Sequence, residues 1–502
     1  VYQPNKVMIW TDTFANNRQS SIFNTTLGEN NARLAELNRQ DIRVIIGNPP
    51  YSVGQDNAND DNQNEHYEEL DERIAATYAA RTEATLKNSL YDSYIRAYRW
   101  ASDRIGEKGI IGFVTNAGWI DSNSADGMRK CLAEEFSAIY VYHLKGNART
   151  QGEQRRKEKD NVFGEGSRAP VAIVFLVKNP EATEHGKIYF HAVGDYLTRD
   201  EKLAELKRNV SIAHTQVNEI VPDAHGDWLN QRDDSYARFM RVDGKKTSEN
   251  SIFKNYSNGV KTNRDIWVYG SDKRKVLEHV GNSISFYTSQ VKALAANPNY
   301  EIDLDPKKMK WDIAQKLGVT KGKIVAEPIK DNVYKSYYRP FFSQYLYFDR
   351  FWNNRVYQMP AIFPTNESRN LIICSSGVGS KEYSCLMVDH IPCLDFLEKT
   401  QCFPRWLPGE QTKGAEDTLD FGEPSEMPSG FSQEALPHFQ AAYPGKPITE
   451  DDLFYYIYGI LHSEDYRTRY ANNLMKELPR IPRVATYEQF MAFVEAGQEL
   501  AR

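Results

Sequence analysis

Five short, almost unbroken apolar runs divide the first 180 residues: 6–11 (KVMIWT), 42–47 (IRVIIG), 109–115 (GIIGFVT), 138–144 (AIYVYHL) and 171–177 (VAIVFLV). Near-continuous runs of this length suit strands covered on both faces, as in a mostly parallel sheet. Between them lie helical stretches at 28–39, at 67–105 with a break, and at 125–136. Within 88–105, Leu90, Tyr94, Ile95, Ala97 and Ala101 fall near one helical face. Strands alternating with helices make an open α/β sheet. Such sheets bind ligands at the carboxyl ends of their strands.

Two polar stretches interrupt this pattern. Residues 54–66 (GQDNANDDNQNEH) read as a mobile surface loop, and 145–168 as a long loop rich in Arg, Lys and Gly. After about residue 190 the character changes. A helix is expected at 198–208. Short aromatic segments follow at 264–270, 334–348, 370–374 and 383–388, separated by Gly, Asn and Pro. That pattern reads as an irregular α+β domain. The Pro/Gly/Glu-rich stretch 407–447 reads as an insertion or linker. Helices return at 449–462, with Thr449 as N-cap, and at 463–477. Two domains are expected, 1–185 and 186–502.

Composition narrows the class. No apolar run approaches the ~18 residues that a membrane span needs. The chain opens on Val1 and enters a strand-like run at Lys6 with no secretory leader. It therefore reads as a cytoplasmic piece of a longer protein. The five cysteines show no CxxC spacing, which argues against a zinc ribbon, and an odd count suits a reducing compartment. The 62 Lys and Arg against 68 Asp and Glu give a net charge of −6. This balance does not advertise a nucleic-acid partner. It does not exclude one, because binding needs only a local basic surface.

One tetrapeptide carries chemistry. Asn48-Pro49-Pro50-Tyr51 follows directly on the apolar run 42–47. Two prolines freeze the backbone and remove two N–H donors, so the nearby carbonyls are held as fixed acceptors. Asn48 adds a side-chain carbonyl and Tyr51 a flat aromatic face. Such a pocket accepts two hydrogen bonds from an amino group and stacks on the ring that bears it. The exocyclic amine of a nucleobase is the obvious ligand. Its lone pair is delocalised into the ring, and two fixed acceptors would draw the nitrogen toward tetrahedral geometry. A base inside a duplex would have to be flipped out to reach the pocket. The bland alternative is a rigid Pro-Pro turn with a packing tyrosine.

NPPY after a hydrophobic strand resembles the signature of amino-group DNA methyltransferases that act on adenine N6 with S-adenosylmethionine. The likeness extends through Gly146-Asn147-Ala148-Arg149-Thr150, Arg155-Arg156-Lys157-Glu158, Asn161-Val162-Phe163-Gly164 and Gly166-Ser167-Arg168. These resemble the methyltransferase portion of Type ISP restriction–modification enzymes. Those are single chains joining nuclease, helicase-like ATPase, methyltransferase and target-recognition domains. Gly259-Val260-Lys261-Thr262-Asn263-Arg264-Asp265, Tyr338-Arg339-Pro340-Phe341, Gln401-Cys402-Phe403-Pro404 and Tyr455-Tyr456-Ile457-Tyr458-Gly459-Ile460-Leu461-His462 resemble their specificity domain. The resemblance implies a partial Rossmann-like methyltransferase sheet followed by a large irregular α+β target-recognition domain with terminal helices.

It also implies residue roles. Asn48 and Pro49 accept hydrogen bonds from the target amine, Pro50 keeps the turn rigid, and Tyr51 stacks on the flipped adenine. Phe163 packs on the base from another side. Asp12 contacts the adenine of the cofactor, beside Asn48, and Phe14 packs on that ring. Each has a plainer reading: Asp12 as a helix cap, Phe163 as core. Arg149, Arg155, Arg156, Lys157 and Arg168 lie in a loop whose seven cations less four anions give +3, which fits phosphate contact or a solvated face. Lys261 and Arg264 fit DNA contact or pairing within their own domain equally well.

The chain also departs from the family. Only eleven residues precede Asp12, so the Gly-rich cofactor loop and the ribose-binding acidic residue would lie upstream. Gly377-Val378-Gly379-Ser380-Lys381 is not a GxxxxGK[ST] phosphate loop. The sequence thus leaves three readings: an adenine-N6 methyltransferase core with its target-recognition domain, a catalytically incomplete DNA-recognition module of the same larger enzyme, or the same amine chemistry on RNA or a protein glutamine.

Overall fold

The computed structural model describes residues 8–9, 11–14, 28–51, 66–84, 86–243, 250–380, 382–408 and 427–502. It divides into two compact units, Val1–Gln231 and Arg232–Arg502. The expected strand 6–11, the acidic loop 54–66 and residues 409–426 of the Pro/Gly-rich stretch lie wholly or mostly outside the described residues.

The first unit is built on strands β1 (Val44–Gly47), β2 (Gly109–Asn116), β3 (Ala138–Lys145), β4 (Val171–Lys178), β5 (Lys187–Ala192) and β6 (Asn218–Ile220). They lie in the order β1-β2-β4-β3-β5-β6. β1 runs parallel to β2, and β3 to β5. β4 is antiparallel to both β2 and β3, and β6 to β5. The sheet is therefore mixed, not mostly parallel. The apolar run of β4 is continuous because the strand is central and covered on both faces. Burial of that kind carries no information about strand direction. β1 is the outer strand of the described sheet, and its Val44 and Ile46 are 59% and 83% exposed. Its apolar run had suggested cover on both faces.

Helices α1 (Gly28–Arg39), α2 (Glu68–Ile74), α3 (Ser93–Arg104) and α4 (Asp126–Glu135) fall where the periodicity places them. Helix α3 buries Tyr94, Ile95, Ala97, Tyr98 and Ala101. The Tyr98 ring lies 5.3 Å from both Phe113 and Trp119. Arg96 and Arg99 of α3 are buried too. Each meets a carboxylate, Arg96 with Asp71 at 2.8 Å and Arg99 with Glu135 at 2.7 Å. The 145–168 stretch, expected as loop, contains helix α5 (Gly152–Glu158).

The first unit runs well past residue 185. Strand β5, helix α6 (Arg199–Asn209, capped by Thr198) and β6 all belong to it. The buried Arg129 of α4 donates to the Gly226 carbonyl at 2.8 Å and to the Asp227 carboxylate at 3.1 Å, which ties the end of the unit back to its middle.

The second unit contains the antiparallel hairpin β7 (Val333–Arg339) and β8 (Phe342–Tyr347). A second, wholly antiparallel sheet holds β9 (Ile372–Ser375), β10 (Cys385–Val388) and β11 (Gln401–Pro404). The 24-residue helix α7 (Lys273–Ala296) was not legible as one helix. Its sequence carries Gly281 and many Ser, Thr and β-branched residues, so local propensity is poor. Val276, Val280, Ile284, Tyr287 and Val291 nevertheless line its buried face. Phe431, Ala435, Phe439 and Tyr443 are buried in the core, so this part of 407–447 is not a linker.

Helices α8 (Glu450–His462) and α9 (Tyr487–Leu500) close the chain. Thr449 caps α8 as expected. The two helices approach backbone to backbone at two glycines. A Cβ on Gly459 would stand 2.4 Å from the Phe493 carbonyl oxygen, and one on Gly497 would stand 2.0 Å from that of Tyr455. Among the described residues no helix is long and apolar enough to cross a membrane. Gly459→Ala is expected to separate α8 from α9 and cost about 1–3 kcal/mol, the usual range for overpacking, read as a lower urea midpoint.

Candidate functional site

Asn48-Pro49-Pro50-Tyr51 begins where β1 ends at Gly47. Because β1 and β2 are parallel, the tetrapeptide lies at the carboxyl ends of both strands. β3 ends at Lys145, and β4 starts at Val171 opposite Asn116, the last residue of β2. The segment joining β3 to β4 therefore starts and finishes at this same end of the sheet. This direction of β4 brings two distant parts of the sequence together.

The Tyr51 and Phe163 rings meet at 5.8 Å with their planes inclined by 53°. Around them Asn48, Pro49, Pro50, Gly166 and Ser167 line a cavity of about 350 Å³. Phe163 is 48% exposed, so it is not a core residue. Tyr51 packs beside Tyr142, Leu144, Val162 and Val171. Burial pushes its phenol up to about 12, and the buried Oη has no hydrogen-bond partner among the described residues. Asn48 and Pro50 are exposed and Pro49 half-buried, so the acceptors lie open to a ligand.

Side chains that sequence reading missed hold Phe163 in place. Asn161 is buried and donates to the carbonyls of Gly146 at 3.1 Å and Ala169 at 2.8 Å, closing the neck of the loop. Its side-chain oxygen accepts from the Phe163 amide at 2.9 Å. The fully buried Lys202 donates to the carbonyls of Glu158 at 2.8 Å and Asp160 at 2.6 Å. Burial pulls its ammonium down to about 8. Buried Glu158 accepts from the Asn147 amide at 3.0 Å. Nothing in the local sequence marks Lys202 as buried, since it sits in a charged run (RDEKLAELKRN) that reads as a solvated helix.

The other expected residues divide. Asp12 accepts from the Phe14 amide at 3.0 Å and from the Tyr67 hydroxyl at 3.1 Å, and the Phe14 ring meets Tyr67 edge-on at 5.4 Å. Each carboxylate oxygen keeps a second acceptor position. The set thus fits the amino group of a cofactor adenine. Half-exposed Arg155 donates to the Lys159 carbonyl at the end of its own helix, and Arg156 pairs with Glu153 at 2.5 Å. Arg149 and Arg168 are exposed and Lys157 half-exposed, and no ion pair holds them among the described residues. In the second unit Lys261 is exposed, whereas Arg264 is buried and donates to Gln315 at 2.6 Å. No group of His, Cys, Asp and Glu among the described residues is arranged to hold a metal ion.

Fold and site together define a class: an α/β unit of methylase type, with an aromatic corner at its strand ends, in one chain with a mixed α+β unit. The Eco57I restriction-modification methylase family matches residues 3–150, and the Type ISP C-terminal specificity domain matches residues 251–502. The chain belongs to the Type ISP restriction–modification family.

It is similar over all its length to a nuclease-deletion mutant of the Type ISP enzyme LlaGI in complex with a DNA substrate mimic, at 34% identity and a TM-score of 0.84. It is also similar to the ATP-dependent Type ISP enzyme LlaBIII bound to DNA, at 33% identity and 0.84 over all its length. The DrdV–DNA complex matches at 36% identity and 0.83 over 99% of the chain. The chain spans 38%, 32% and 48% of those three proteins, respectively. A comparison with the curated proteins finds no match.

Asn161→Ala removes three hydrogen bonds, each contributing about 1 kcal/mol. The amide of Phe163 is expected to exchange with deuterium at least about tenfold faster in this variant, since 1.4 kcal/mol is a factor of ten.

Proposed function

We propose that this chain carries the methyltransferase and target-recognition parts of a Type ISP enzyme that methylates adenine N6 in duplex DNA. The observation that supports this reading is the shared cavity of Asn48, Pro49, Tyr51 and Phe163, with Tyr51 and Phe163 drawn together from segments 112 residues apart. The target adenine is flipped into this corner. Flipping costs a few kcal/mol of stacking and pairing, which the aromatic corner offsets.

The side-chain carbonyl of Asn48 and the backbone carbonyl of Pro49 accept the two N6 hydrogens. This removes electron density from the N–H bonds and turns the lone pair out of the ring plane, toward the incoming carbon. As the new N–C bond forms, the amine sheds one N–H proton past these acceptors to solvent, since amide carbonyls are too weakly basic to keep it. Tyr51 and Phe163 fix the ring, and Pro50 keeps the turn from relaxing.

S-adenosylmethionine, when bound, supplies the methyl group on a sulfonium sulfur. Asp12, Phe14 and Asn48 would hold it. DNA is steered by Arg149 and Arg168, with Lys157, Arg155 and Arg156 beside them and Lys261 on the second unit. Nuclease and helicase-like domains accompany these parts in the parent enzyme, which acts in the bacterial cytoplasm.

The test is transfer of labelled methyl to unmethylated mixed-sequence duplex DNA, by this chain and by the chain within its parent. Tyr51→Ala is expected to reduce transfer at least about a hundredfold while changing DNA affinity less than about threefold, because it removes stacking and no phosphate contact. Equal losses in both would sink the pocket assignment. Arg149→Ala with Arg168→Ala is expected to lower the salt slope of DNA binding by about 2. An unchanged slope would return the loop to a solvated face.

A further inference from the structure

The second unit holds a buried cation that forms no ion pair among the described residues, the nearest charge acting on it being that of Asp312. Arg264 is only 3% exposed. One guanidinium nitrogen donates to the side-chain oxygen of Gln315 at 2.6 Å, a neutral acceptor. The other two, Nε and Nη1, are buried and have no hydrogen-bond partner among the described residues. The neighbouring carboxylates are engaged elsewhere. Asp265 accepts from the Thr262 hydroxyl and from the Tyr338 hydroxyl at 2.9 Å. Asp312 accepts from the Ile313 amide at 2.7 Å and from Asn354. Burial pulls the guanidinium down to about 10. A buried charge left unpaired costs several kcal/mol, and two unmade hydrogen bonds add to that. Native structures rarely leave such a group unanswered.

Arg264 lines a cavity of about 480 Å³. Exposed Lys261 and Lys310 line the same cavity, and neither is in an ion pair among the described residues. Trp267, half-buried, adds a flat aromatic wall. Two carboxylates line it as well, the engaged Asp265 and the exposed Asp395. Three cations against two anions leave +1, and the one cation wholly removed from water is the one without an anion.

We propose that this cavity is a phosphate-binding site, in which Arg264 at the floor donates through Nε and Nη1 to a phosphate oxyanion and Lys261 and Lys310 hold it at the mouth. Guanidinium suits this task because its N–H groups form a rigid, permanently charged fork. The same chemistry serves a backbone phosphate of nucleic acid or a free phosphate group. The inference shares Lys261 with the DNA contacts proposed above and is otherwise separate from the methyl-transfer pocket, since every residue of the cavity belongs to the Arg232–Arg502 unit.

The test measures this chain and two variants by calorimetric titration with inorganic phosphate against chloride of equal ionic strength, and by salt-dependent binding of a mixed-sequence DNA duplex. Arg264→Met keeps the volume and removes the charge. Lys261→Gln with Lys310→Gln changes only surface groups and keeps the test valid should Arg264→Met fail to fold. Both variants are expected to bind phosphate at least about tenfold more weakly. If the source is the nucleic-acid backbone, the DNA salt slope falls by about 1 in Arg264→Met and by about 2 in the double variant. Weakened phosphate binding with unchanged DNA slopes assigns a free phosphate ligand instead. The proposal is overturned if neither variant differs from the parent chain with either probe. Tyr51→Ala should leave phosphate binding unchanged, so failure of the methyl-transfer reading would show separately.

Discussion

The reversed direction of β4 organises the first unit. Placed between β2 and β3 and antiparallel to both, it makes the 146–170 segment return to the strand ends from which it left. A parallel β4 would have needed a crossover to the opposite end of the sheet, and Phe163 would not face Tyr51. The contact between these rings, 112 positions apart in the chain, depends on that direction. The site sits where open α/β sheets place their ligands, although this sheet is mixed.

A loop of this length would be too floppy to position an aromatic ring unless its backbone groups were held. Here the holding groups are buried and polar. Asn161 ties the neck, Glu158 takes an amide, and Lys202 donates to two carbonyls from beneath. Such groups stabilise only when their partners are present. The loop is therefore specific in shape rather than merely packed. The basic residues split accordingly. Arg155 and Arg156 serve the helix they sit on, and Arg149 and Arg168 remain on the surface.

Buried arginines meet carboxylates in both units, Arg405 of the second reaching Glu450 at 2.8 Å and Asp451 at 2.7 Å, and Arg264 departs from that pattern. In the first, Arg96, Arg99 and Arg129 each meet a carboxylate at 2.7–3.1 Å, so their burial is compensated within the protein. Arg264 has no ion pair among the described residues: it donates to a neutral amide and lies 5.9 Å from an indole ring, with the Asp312 charge acting on it at longer range. Against that internal standard the Arg264 cavity stands out as a place where something else completes the charge balance.

Much of this was legible in residues alone. Four of the five apolar runs became strands within a residue or two, since a buried strand needs little beyond continuous apolar character. NPPY marked a rigid turn at a strand end because proline removes donors wherever it stands, and Thr449 announced a helix start because its hydroxyl satisfies an amide locally. What the sequence could not carry was non-local. Strand direction leaves no trace in a run covered on both faces. Lys202 lies in a run that reads as solvated, and only packing decides that its amine turns inward. Helix α7 has weak local propensity and is held by the core it covers. Arg264 could be assigned to surface or interior equally well from its neighbours. The sequence by itself determined the elements and the rigid Pro-Pro turn, because these depend on covalent geometry and local periodicity. Tertiary structure alone decided which side chains face one another and which charges lose water, because those depend on chain segments far apart.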